Sequence, residues 1–241
     1  MKGNLVKLNV RGLLGSTSMV AIFVVIGVFV AAMGGLIAGG LAFEGLSQQQ
    51  RGDTGLMNEY VGLTVYIIAA VVTGVGFSTI YSSPLIREKS NGTIETLLAT
   101  PISPARLVTA KAIAITLLAV PVGLVCGGVV GAVLWGRYSL GAAVAPAPFI
   151  LVTVLFVTPL IYFTLALIVY AIGVAARTAD GVVIVSIFIT GFSAVMLNMA
   201  LRDVTPPESL SFLLLNLAWA LVFGVIAAVA LPRISREKAI A

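Results

Sequence analysis

The sequence predicts an all-α membrane protein of six transmembrane helices, and three observations carry that prediction. Apolar residues (AVILMFWYC) make up 60% of the 241-residue chain and charged residues only 10%, against roughly 25% charge in ordinary soluble domains. Six uncharged runs cover 12–43, 60–86, 112–136, 138–176, 181–201 and 209–232, and each meets the ~20 residues a helix needs to cross ~30 Å of hydrocarbon. The 14 lysines and arginines fall unevenly between those runs, as they do in the loops of a multi-pass protein. The chain has no histidine, and Cys126 is its one cysteine. An intrachain disulfide framework, a Cys/His zinc site and histidine-dependent chemistry are therefore excluded. No catalytic residue, metal site or nucleic-acid partner is expected, and the net charge of +5 is read through its distribution across the membrane.

The elements follow in order along one transmembrane domain, 1–241. Leu5, Leu8, Val10 and Leu13 share a broad face while Lys7 and Arg11 mark the other side, which suits an interfacial helix at about 3–15; a charged, frayed tail is the plainer alternative. The first span is expected at 18–43. Its apolar stretch exceeds the ~7–15 residues of a secretory h-region, so it is expected to stay uncleaved. The second and third spans are expected at 60–83 and 108–134. The 39-residue run 138–176 opens with Ala145-Pro146-Ala147-Pro148, which interrupts any helix there and leaves one span at 149–173. Within it Pro159 frees a backbone carbonyl, producing either a kink or a packing bend. The last two spans are expected at 182–201 and 210–231.

An even number of spans puts both termini on one side. Lys2, Lys7 and Arg11, then Arg87, Lys89, Arg106 and Lys111, then Arg177, then Arg233, Arg236 and Lys238 fall on that side; Arg51, Arg137 and Arg202 fall opposite. The positive-inside rule makes the richer side cytoplasmic. The expected location is the cytoplasmic membrane, with residues 84–110 inside, 44–58 outside, and Arg106 and Lys111 at the headgroup level.

No Asp, Glu, Lys or Arg lies in the middle of a predicted span, which counts against an ion-coupled secondary transporter. No G-x-x-x-x-G-K-[ST] loop occurs, so energy from ATP has to reach the chain through a partner. Thr73, Ser78, Thr116, Thr153, Thr158, Tyr162, Ser186, Thr190, Ser193, Asn198 and Asn216 are polar positions within the spans. None is assigned as a substrate ligand, because most hydroxyls can bond the preceding turn of their own helix. Gly123, Gly127 and Gly131 fall at i, i+4 and i+8, with Ala119 one turn before, and Gly35 and Gly39 repeat the spacing. Such stripes allow close helix packing, either inside one subunit or between two.

The most informative segment joins spans two and three. Asn91-Gly92 reads as a turn. Ile94, Leu97 and Leu98 then share one helical face, Glu95 favours the positive helix start, and Pro101 stops the helix. Ser103-Pro104 reads as N-cap and first position of the next helix. The amphipathic helix, about 92–100, is too short to stand alone. It docks on headgroups, on its own bundle or on a cytoplasmic protein.

The string R-E-K-S-N-G-T-I-E-T-L-L-A-T-P-I-S at 87–103, with Lys111 beyond it, resembles the signature of type-2 permeases of ATP-binding-cassette (ABC) transporters. The layout of six spans, cytoplasmic termini and an interfacial helix extends the likeness less specifically. The resemblance implies that 92–100 is a coupling helix received by a separate ATPase subunit, with Gly92, Thr93, Ile94, Glu95, Leu97 and Leu98 making the contact. It implies a pair of permease chains, this one with a second copy or a paralogue, above two ATPase subunits that hold the ATP and magnesium. Export is the expected direction, and the apolar spans point to a hydrophobic or amphipathic substrate. The short connection Arg202-Asp203-Val204-Thr205-Pro206-Pro207-Glu208 departs from relatives with a large outer domain, and no fused ATPase is expected. An ATP-independent secondary transporter or channel is the second hypothesis, and a non-transport membrane enzyme or scaffold the third.

Overall fold

A computed structural model describes residues 53–91, 103–137, 148–175 and 209–233, with backbone only for 78–90 and 173–175, and the isolated positions 7, 21, 24, 25, 27–29 and 32. The described residues form helices and turns only: α1 (Thr54–Ser90), α2 (Pro104–Arg137), α3 (Pro148–Val152), a π-helical turn (Thr153–Val157), α4 (Thr158–Ala175), α5 (Leu210–Ala230) and a closing 3₁₀ turn (Leu231–Arg233). Four stretches among them are long and apolar enough to cross a membrane: Thr54–Phe77, Pro104–Arg137, Pro148–Ile172 and Leu210–Arg233. The predicted spans at 18–43 (its isolated helical positions apart) and 182–201, the interfacial helix and the 92–100 helix lie outside the described residues.

Local chemistry sets the helix starts. Asp53 caps α1, its carboxylate accepting from the backbone N–H of Gly55 at 2.9 Å and Leu56 at 3.3 Å. This early start places the first turn of α1 ahead of the expected 60. At the other end α1 continues through Arg87, Glu88 and Lys89 to Ser90 before Asn91 turns. Those three residues are good helix formers, so the helix runs on past the apolar boundary at 83. The 37 residues of α1 measure about 55 Å at 1.5 Å per residue, well beyond the ~30 Å hydrocarbon layer.

Pro104 opens α2, and the Ser103 carbonyl accepts from Arg106 at 3.0 Å and Leu107 at 3.2 Å. Its fixed φ suits the first helical position, where no intrahelical donor is lost. Ser209 caps α5, its hydroxyl accepting from the Phe212 N–H at 3.2 Å.

Pro159 acts one turn upstream of itself. Its ring would clash with the Leu155 carbonyl four residues back, and it has no N–H to offer. The chain takes up the conflict in the π turn Thr153–Val157, closed by the Thr158 N–H donating to the Thr153 carbonyl. The span thus continues through Pro159 by a local change of pitch.

α1 is the inner column. Every side chain from Leu56 to Phe77 is at least partly buried. Met57, Val61, Ile68 and Val72 of α1 pack with Val130 and Leu134 of α2. On another side Tyr66 and Ala69 pack with Ile150, Val154 and Phe212. Leu107, Val108, Ala112 and Ile115 of α2 meet Tyr162, Ala166 and Tyr170 of α4 beneath Phe77. α5 lies at the edge, against Val157, Ile161 and Leu165.

Candidate functional site

The glycine stripe has a defined neighbour. A Cβ on Gly123 would stand 2.6 Å from the Ala69 carbonyl and against the Thr73 hydroxyl; one on Gly127 would stand 2.9 Å from the Val65 carbonyl; one on Gly131 would meet the Val65 side chain at 2.8 Å. Partners fall from Thr73 to Val65 as the glycines rise from 123 to 131, so α1 and α2 run antiparallel with backbones in near contact. At these glycines the stripe faces α1 of the same chain. Gly128 and Gly136, which point off this stripe, meet nothing within 4 Å.

The antiparallel seam has a consequence for 92–100. α1 ends at Ser90 and α2 begins at Pro104, so the segment carrying Gly92, Thr93, Ile94, Glu95, Leu97 and Leu98 bridges neighbouring ends of a welded helix pair. Those six residues lie outside the described ones. Arg106, just past the bridge, is exposed as expected at a headgroup level, but Lys111 is only 6% exposed. Five residues place the two about 140° apart around a helix with 3.6 residues per turn. Lys111 therefore shares the inward face of Leu107, Val108 and Ile115. Its stem lies in the bundle, which corrects the expectation that both cations sit alike.

The polar residues of the spans divide into two groups. Thr64, Thr109, Thr116, Thr153 and Thr164 donate to the carbonyl four residues back on their own helices, at 2.7–3.0 Å. These hydroxyls cost little to bury and recognise nothing. Two other groups reach between helices. Tyr162 donates to the Ala70 carbonyl at 2.7 Å, tying α4 to α1. The Tyr66 hydroxyl donates to Asn216 Oδ1 at 3.0 Å, tying α1 to α5, while Asn216 Nδ2 donates to the Phe212 carbonyl at 2.9 Å. Phe212 in turn meets the Tyr66 ring edge-on, with centroids 5.0 Å apart. Tyr66 was not among the polar positions singled out from sequence. The signal was Asn216: a carboxamide inside an apolar run has more hydrogen-bonding groups than its own helix can satisfy, and so requires a partner from another span.

No cluster of metal-ligating residues occurs among the described residues, and no charge stands near the Tyr66–Asn216 pair on the described faces of α1, α4 and α5. Among the described residues the arrangement offers neutral hydrogen-bonding groups in an apolar interior and a closely packed helix pair. A family model described as ABC-2 family transporter protein matches residues 46–223, from just before α1 into the second half of α5. No curated protein and no solved structure matches the chain.

Proposed function

Because this chain belongs to the ABC-2 family of transporter proteins, we propose that it is the permease subunit of an ATP-driven exporter. A separate ATPase drives it through the 92–100 helix. The family match over most of the chain carries the transporter assignment; the α1–α2 seam supports the mode of coupling. Two helices whose backbones meet at Gly123 and Gly127, with Gly131 against the Val65 side chain, move as one body, because interiors this close resist small displacements. A push on the bridge between their ends is then delivered along α1, the inner column against which α2, α3, α4 and α5 pack.

In this mechanism Ile94, Leu97 and Leu98 bury an apolar face in the ATPase, and Glu95 adds a charge-assisted contact at the helix start. ATP and magnesium reside on two ATPase subunits, and closure of that pair tilts the α1–α2 bodies of two permease chains, this one and a copy or paralogue. The path between them opens alternately inward and outward. Its walls are apolar and uncharged, which suits a hydrophobic or amphipathic substrate. Six spans, a single domain, an interfacial helix at 3–15 and cytoplasmic termini complete the proposed layout in the cytoplasmic membrane.

Orientation is tested by single-cysteine labelling in a Cys126→Ser background. Asp53 and Ser90 flank one continuous helix, so D53C should react only from outside and S90C only from the cytoplasm. The reverse pattern would invert the layout and remove 92–100 from the ATPase's reach. Recovery of an ABC ATPase with the purified chain tests the partnership itself.

A further inference from the structure

α5 is held to the subunit in two unlike ways. Its buried residues, Phe212, Asn216, Ala220, Phe223 and Ala227, form one narrow stripe, and 28% of its most apolar stretch is buried, against 61% for α1. Along the later part of the stripe Ala220 and Phe223 pack on Val157, Ile161 and Leu165. That seam is apolar and non-directional, and Gly224 meets α4 only at ordinary distance, 3.8 Å from Thr164 Cγ2. Along the earlier part, the Tyr66–Asn216 hydrogen bond ties α5 to the inner column. A hydrogen bond is directional, so it is either made or lost, whereas an apolar seam accommodates rotation.

Thr158 supplies the second position. Its Oγ1 is buried and has no hydrogen-bond partner, unlike the threonines that bond their own helices. The carbonyl four residues behind it, that of Val154, belongs to the π turn, whose widened pitch removes the usual acceptor. On α4, Thr158 is flanked by Val154, which packs with Tyr66 and Phe212, and by Tyr162, which bonds the Ala70 carbonyl. The part of the span that carries Thr158 thus runs beside the stretch of α1 that carries Tyr66.

We propose that Tyr66, Asn216 and Thr158 form a releasable latch. In this structure Tyr66 holds α5 through Asn216; when α5 pivots on its α4 seam, the Tyr66 hydroxyl passes to Thr158. One hydrogen bond is exchanged for another, so the two arrangements lie close in free energy, as a two-state element requires. The use of the latch in transport rests on the permease assignment, but its existence does not.

The test uses nitroxide pairs on the exposed starts of the two helices, Thr54→Cys and Leu210→Cys, in Cys126→Ser protein in lipid nanodiscs without any ATPase. Tyr66→Phe keeps the ring against Phe212, and Asn216→Leu removes the carboxamide at similar volume. Asn216→Leu breaks the first arrangement only and should raise the ratio of a second distance population to the first by roughly three- to twentyfold, the range of interhelical hydrogen bonds in membranes. Tyr66→Phe removes the hydroxyl that both arrangements use and should leave the ratio close to wild type. The double variant should match Tyr66→Phe, because without the Tyr66 hydroxyl the Asn216 carboxamide no longer decides the balance. Thr158→Val should shrink the second population, and Thr116→Val, which removes a hydroxyl bonded to its own helix, should leave the distribution unchanged. A wild-type distribution in Asn216→Leu, or a double variant that shifts as far as Asn216→Leu alone, would overturn the latch. Failure to recover an ATPase would count against the permease assignment alone.

Discussion

The α1–α2 seam and the attachment of α5 join apolar helices in the same subunit by opposite means. At the seam, Gly123 and Gly127 remove side chains altogether, and the α2 backbone rests on the carbonyls of Ala69 and Val65. At the edge, α5 keeps full-sized side chains, exposes Leu214, Leu221 and Val225, and reaches the inner column through one tyrosine and one asparagine. In lipid the apolar faces are equally content against hydrocarbon, so close packing and polar ties decide which helices stay together. The seam uses the first; the edge uses the second, the tie that the proposed latch releases. A transporter driven from one end needs both, a body that carries force and a wall that yields.

The sharpest way to break this contrast is to fill the seam. Gly127→Leu drives a branched side chain into the Val65 carbonyl and Ala69, and the expected outcome is loss of monodisperse protein in detergent. Gly128→Leu, one position round the same helix, meets open space and should purify like wild type. Gly123→Ala is gentler, yet its methyl group would lie 2.6 Å from a backbone oxygen that cannot rotate away. A cost of about 1–3 kcal/mol is expected, read as a lower thermal midpoint in the same detergent.

The next effect is smaller. Tyr162→Phe removes the hydrogen bond to Ala70 while keeping the ring beside Phe77, with centroids 6.0 Å apart. The expected loss is about 0.6–1.7 kcal/mol, the span from average to largest for such bonds in membranes. At the edge the sign should reverse. Gly224→Ala places a methyl in ordinary contact with Thr164 and replaces a poor helix former, so stability should hold or rise by up to about 1 kcal/mol. Equal destabilisation by Gly123→Ala and Gly224→Ala would erase the distinction between weld and edge.

Much of this was legible in the sequence where one residue type has one physical use. The Ser103-Pro104 start of α2, the helix start at Pro148 and the i, i+4, i+8 glycines all follow from local chemistry. Which helix the glycines met was not legible, because spacing defines a face and leaves its neighbour open. Helix ends were misplaced where charge was taken as a boundary: Arg87, Glu88 and Lys89 mark the edge of hydrocarbon, yet they extend a helix readily. Lys111 illustrates the converse, since a cation near a membrane surface still follows the helical face on which it falls. The Tyr66–Asn216 pair joins residues 150 apart in sequence, a separation that no local pattern spans. Asn216 alone announced that a partner was needed.

The central proposal is that a short helix at the end of the welded pair receives an ATPase, and one measurement addresses it directly. An ABC ATPase is co-expressed and co-purified with the wild-type chain and with Leu97→Ala/Leu98→Ala, each normalised to permease recovered from the membrane. Burial of one leucine side chain contributes about 1.5–3 kcal/mol, so even one lost contact should weaken association roughly ten- to a hundredfold. The described helices that insert are unaffected, since neither residue lies in one of them. Coupling through 92–100 predicts normal permease yield with ATPase recovery sharply reduced. Equal ATPase recovery by the wild-type chain and the double variant, with both fully inserted, would contradict it.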